Sequence, residues 1–164
     1  MAEFAVSSSS FAPNGPWAEK HYWNQFGCTG GNVSPALKWS GAPEGTKSFA
    51  VTLYDPDAPT GSGFWHWVSF NWPANVTSME EGDASSGKLP AGVVEGNTDV
   101  GKPGWLGPCP PPGRVHHYIY TVYALKTEKL DVPPGATAAM TGFFLWMNTL
   151  AKATVTGTAG PRKG

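Results

Sequence analysis

His117-Tyr118-Ile119-Tyr120-Thr121-Val122-Tyr123-Ala124-Leu125 is the densest run of β-branched and aromatic residues in the chain. Such residues suit a pleated, half-buried surface, so the run reads as a strand. Ser48–Tyr54 places Phe49, Val51 and Leu53 on one face by alternation and reads as a second strand. A third lies within Phe64-Trp65-His66-Trp67-Val68-Ser69-Phe70-Asn71, strongest from His66 to Asn71. The intervening loop contains Gly61 and Gly63, so these two strands are expected to be antiparallel neighbours, with Asp55 close to His66. Shorter strands are expected at Phe4–Ser8, Leu37–Ser40 and Gly92–Glu95. One helix is expected from Ala136 to about Lys152, with Met140, Phe143, Phe144 and Met147 as its packing residues. Trp39, Trp72 and Trp146 read as core, and residues 158–164 as a frayed tail. Many short strands and one late helix predict a mostly β, β-sandwich-like fold, α+β by strict counting.

The 164 residues suit one domain, 1–164, with a full core. Gly (21) and Pro (16) are abundant and only 14% of residues are charged, yet the aromatics sit inside periodic runs. That pattern opposes disorder and favours structured turns. The net charge of −1 and the lack of a Lys/Arg cluster argue against a nucleic-acid partner. No apolar run is long enough to span a bilayer. Met1–Val6 lacks a basic region followed by an apolar core, so a cytoplasmic location is expected. Two reduced thiols at Cys28 and Cys109 are favoured over a bridge between them.

Asp55-Pro56-Asp57-Ala58-Pro59 holds two carboxylates on a proline-stiffened loop. Gly107-Pro108-Cys109-Pro110-Pro111-Pro112-Gly113 repeats the device and runs into His116. Asp55, His66 and His116 are therefore the candidate site. Two imidazoles with the backbone N–H groups of Gly107 and Cys109 can cradle an oxyanion, and the carboxylate can orient the histidines. Trp65, Trp67, Trp105 and Tyr118 are candidate aromatic walls. His117 has the opposite parity to His116 and reads as solvent-facing; His21 reads as surface or packing; Asp57 reads equally as a loop brace. A Cys109–His116 nucleophile lacks an evident orienting partner. A two-histidine, one-carboxylate metal site has no supporting motif, so neither metal nor cofactor is expected.

Taken together, Asn32-Val33-Ser34-Pro35, Asp55–Pro59, His66-Trp67, Gly107–Pro111 and His116 with Tyr118 resemble the phosphatidylethanolamine-binding protein family, in its bacterial and archaeal Raf-kinase-inhibitor-like branch. The resemblance implies a large central antiparallel sheet, a smaller second sheet and a C-terminal helix. It implies a non-enzymatic pocket for a small anion or phospholipid head group, lined by Asp55, His66, Gly107, Cys109, His116 and Tyr118, with Asp57, Trp65 and Trp105 beside it. It also implies a cis bond before Pro56 or Pro59, and it is compatible with a homodimer. The alternative it implies is an inhibitor of a kinase or serine protease; a hydrolase or metal-binding protein using the same cluster ranks below. The family usually has Arg where this chain has His117, which removes a permanent charge able to pair with a loop acid.

Overall fold

The structure, a computed structural model, describes residues 3–163. Strand β3 (Ser48–Asp55) is central because nearly all its residues are buried. It pairs antiparallel with β4 (Phe64–Pro73) on one side and β7 (His116–Leu125) on the other. Strand β6 (Val94–Glu95) borders β4, and β8 (Thr149–Ala159) borders β7, giving the order β6-β4-β3-β7-β8. A second sheet, in the order β1-β2-β5, joins β1 (Ala5–Ser7), β2 (Leu37–Ser40) and β5 (Ser78–Met79). The regular structure of the described residues is thus mostly strand, in two antiparallel sheets with one α-helix near the C-terminus.

The main core includes Phe49, Val51 and Leu53 of β3, Tyr118, Tyr120 and Val122 of β7, and Leu37 and Trp39 of β2. Trp17 adds an indole that stacks with Trp105 and Tyr120. A Cβ at Gly157 would collide with that indole, which explains why glycine faces Tyr118 there. The other side of the large sheet packs Ala50, Phe70 and Leu125 against Leu145 of α1 (Ala138–Asn148). The helix starts where the Thr137 hydroxyl accepts the Met140 N–H at 3.0 Å, an N-cap.

Several expectations need correction. The helix ends at Asn148, and β8 replaces the anticipated final turn and takes in the first two residues of the tail. Ala159 pairs with His116, the Gly160 N–H donates to the Tyr22 hydroxyl, and Arg162 Nε donates to the Pro110 carbonyl. The missed signal was alternation: Ala153, Val155 and Ala159 are buried, whereas threonines occupy the positions between them. Small inward residues make that period faint. Trp146, expected in the core, is 76% exposed, and Met140, Phe143 and Met147 are also exposed. The helix buries only the stripe of Ala138, Thr141 and Leu145. The cis peptide bond among the described residues is Gly160–Pro161, so the bonds before Pro56 and Pro59 are trans. Gly164, the last residue of the anticipated tail, lies outside the described residues.

Candidate functional site

Asp55 ends β3, while His116 and Tyr118 begin β7 two residues apart and share its inward face. On β4, Leu53 pairs with Trp67 but Tyr54 pairs with Trp65, so His66 is an extra residue in the ladder. This bulge lets consecutive His66 and Trp67 both turn inward, a usual way for a sheet to re-aim a side chain. Asp55, His66, Cys109, His116 and Tyr118 consequently line one cavity of about 300 Å³.

At its floor, His116 Nδ1 lies 2.7 Å from Asp55 Oδ2, and both residues are buried. The carboxylate can only accept, so Nδ1 carries the proton and Nε2 is left for the cavity. Asp55 also braces its loop, accepting the Asp57 N–H through Oδ1 at 2.8 Å. His66 Nδ1 lies 2.9 Å from the Leu106 carbonyl and must donate to it, again leaving Nε2. Burial holds the His66 pKa below its ordinary value, outweighing the opposing pull of the Leu106 carbonyl and Asp55. The neutral ring therefore offers a lone pair at Nε2, and the protonated ring offers a donor. Burial, reinforced by Asp55, pushes the Tyr118 phenol far above its ordinary value. Its hydroxyl stays protonated, is closed off from solvent and lies close enough to Asp55 for that carboxylate to act on it.

The walls are more apolar than the sequence suggested. Trp23, Phe26, Phe64, Pro59 and Pro111 line the cavity. Trp23 and Phe26 meet edge to face at 4.8 Å. Phe26 and Gly27 both have positive φ, at 53° and 81°, and the resulting bend carries the chain to Cys28. Cys28 is bridged to Cys109. The favoured reading of two reduced thiols is thereby corrected: the disulfide ties the Trp23–Phe26 wall to the Gly107–Gly113 wall. Contact in space, across a sequence separation of 81, made the pair.

Other anticipated residues lie elsewhere. Gly107 does not line the cavity; its N–H donates to Asn32 Oδ1 at 2.7 Å. A Cβ there would collide with the His21 carbonyl, so close packing explains this glycine. Trp105 is core, donating its indole N–H to the Tyr120 hydroxyl at 2.8 Å. Trp67 donates its indole N–H to Glu95 Oε1 at 2.7 Å, and Trp65 packs at a tilt against Tyr54 outside the cavity. His21 is fully buried, with Nδ1 2.6 Å from the Val33 carbonyl. Asp57 Oδ2 accepts from both the backbone N–H and Nδ1 of His117, each at 2.7 Å. Although burial works the other way, these contacts hold the Asp57 carboxyl below its usual range. His117 thus clips the loop acid that an arginine was expected to meet.

Sequence reading also missed Arg162, which lines the cavity from beyond β8. Assigning that segment to a frayed tail hid it. Of the lining sulfur and hydroxyl groups, Cys109 is bridged, the Thr60 hydroxyl donates to the Gly63 carbonyl, and Tyr118 stays protonated. Among the described residues, no three His, Cys, Asp or Glu side chains are placed to share a metal ion. No helix among the described residues is long and apolar enough to cross a membrane.

Comparison with known proteins places this geometry in context. The profile described as phosphatidylethanolamine-binding protein matches residues 7–160. YbcL of Escherichia coli is 49% identical over 158 residues, covering 94% of this chain and 86% of YbcL. Its crystal structure superposes with a TM-score of 0.93, covering 98% of this chain and all of that one, and is described as a new member of the mammalian PEBP family. YbhB of Escherichia coli is 49% identical over 138 residues, covering 84% of this chain and 87% of YbhB. Carboxypeptidase Y inhibitor, solved with its cognate proteinase, shares the fold at a TM-score of 0.53 and 21% identity, covering 97% of this chain and 83% of the inhibitor.

Proposed function

The chain belongs to the phosphatidylethanolamine-binding protein family, and we propose that its cavity binds a small anionic or phosphate-bearing group, like that of a phospholipid head group, without turnover. The observation that carries this reading is the floor: His66 and His116 each commit Nδ1 inside the protein, and each leaves Nε2 for a ligand. Once the rings are protonated, both Nε2–H groups make charge-assisted bonds to an oxyanion. Because His66 is held neutral by burial, anion binding brings proton uptake with it, and affinity rises as pH falls below His66's ordinary value of 6.5.

Phosphate and phosphoethanolamine titrations at pH 6, followed by imidazole NMR, test this reading. Shifts at His66 and His116 that vanish in the His66→Ala variant are expected. Affinity that stayed flat from pH 8 to pH 5 would remove the histidine mechanism. The Cys28–Cys109 bridge favours an oxidising compartment over the cytoplasm, since such bonds rarely persist among reducing thiols. Mass measurement of protein alkylated directly in lysate checks that location.

A second reading, inhibition of a kinase or serine protease, draws on the exposed Phe143, Trp146 and Met147 of α1. Large exposed apolar patches mark contact surfaces. A Trp146→Ser variant that inhibited a kinase and protease panel as well as wild type would remove α1 from such a role. A sedimentation shift on that substitution would instead assign the face to a homodimer.

A further inference from the structure

The charge balance of the cavity is unusual for an anion site. Its ionisable lining residues are Asp55, His66, His116, Tyr118 and Arg162. Asp55 is negative and occupied with His116. Arg162 supplies the fixed positive charge, since a guanidinium stays protonated at every relevant pH.

Arg162 is held firmly. Its Nε donates to the Pro110 carbonyl at 2.6 Å, and its own carbonyl accepts the Gly113 N–H at 3.0 Å. Both anchors lie on the proline-rich wall. The terminal nitrogens reach across to the opposite wall: a Cβ built at Gly27 would lie 4.0 Å from each. A guanidinium has five N–H donors, and Nε uses one. Among the described residues, no carboxylate pairs with Arg162 and no protein acceptor takes a hydrogen bond from Nη1 or Nη2. A half-buried guanidinium with an anchored stem and a free fork is prepared for a planar pair of oxygens. It also borders a smaller hollow lined by Glu19, Gly27, Cys28 and Lys163.

We infer that Arg162 is a ligand-recognising residue, whose guanidinium edge, open among the described residues, joins His66 and His116 in holding the phosphate oxygens of a phosphomonoester or phosphodiester in the cavity. This rests on the anion-binding reading above and adds the group that fixes charge and orientation. Trp23 and Phe26 supply apolar surface beside it. The shared chemistry is the phosphate, whether on a free metabolite or a lipid head group.

The test measures binding of phosphoethanolamine and of dihexanoyl phosphatidylethanolamine by calorimetry at low and high salt. It uses the full chain and its Arg162→Gln and Arg162→Lys variants. Wild-type affinity falls as salt rises; Arg162→Gln binds on the order of 10- to 100-fold more weakly and loses most of that salt dependence. Arg162→Lys keeps the charge but not the fork and falls between them. Loss with both probes marks the phosphate as the recognised group, and loss with phosphoethanolamine alone assigns the free ester. Loss confined to the lipid would overturn the inference by pointing to the acyl chains. Weaker binding with an unchanged salt slope would reduce Arg162 to a brace for Pro110. Equal binding by Arg162→Gln and wild type would overturn the inference while leaving the histidine pocket intact. No binding of either probe to wild type would remove both proposals together.

Discussion

The cavity floor and the outer face of α1 invert each other's chemistry. At the floor, polar groups are buried: Asp55, His66 and His116 are each under 7% exposed. On the helix, large apolar groups are exposed, with Trp146 at 76% and Phe143 at 54%. Either departure from ordinary burial is informative, but in different ways. Buried polar groups have to be satisfied by named partners, so the floor has a specified geometry. Exposed apolar groups need no partner to fold, so the helix face indicates contact without specifying what makes it.

The largest effect is expected where the floor is broken. Replacing His116 with Ala leaves the Asp55 carboxylate buried without its partner, at a cost of about 3–5 kcal/mol. Denaturant unfolding checks this, and the Asp55→Ala/His116→Ala double variant should lose less than His116→Ala alone. A double loss equal to the two single losses summed would mean the pair is not coupled.

Removing the bridge comes next. The Cys28→Ser/Cys109→Ser variant is expected to lose about 2–4 kcal/mol in urea unfolding, because the denatured chain regains the freedom of a long loop. It should also weaken ligand binding, since both linked loops form cavity walls. Wild-type affinity in the variant would show that the walls hold their positions without the bond.

His66 gives a smaller, pH-dependent effect. Its folded pKa is lowered, chiefly by burial, with Asp55 and Asp99 pulling the other way. Above pH 6.5 both folded and unfolded rings are neutral and the full stability is present. As pH falls below 6.5, the unfolded ring takes up a proton that the folded ring resists, so stability declines toward the lower folded pKa. Thermal unfolding of wild type and His66→Gln from pH 7.5 to 5 isolates this term. Excess phosphate should reduce the wild-type decline by binding the protonated ring.

The smallest effect is expected on the helix. Trp146→Ser should change stability by no more than about 0.5 kcal/mol, as for other exposed substitutions. On the same helix, Leu145→Ala should cost about 2–5 kcal/mol, because Leu145 is only 2% exposed. Comparable losses at the two positions would mean that Trp146 is covered in solution.

The alternation of Phe49, Val51 and Leu53, together with the β-branched run of β7, was enough to identify the two central strands. Proline-stiffened loops at strand ends likewise drew attention to Asp55, His66 and His116, because strand ends and turns leave local marks in sequence. Period, proline placement and the short path from Asp55 to His66 are local properties. Tertiary structure decided everything that depended on distant segments meeting. It joined Cys28 to Cys109, brought Trp23 and Phe26 to the cavity, and gave Asp57 to His117. It folded β8 back along β7 and so carried Arg162 to the cavity lining. It also turned Trp146 outward, because a helix on a sheet buries only the stripe that the sheet can reach. Hydrophobicity says that a residue can be buried; only packing decides whether a surface is there to cover it.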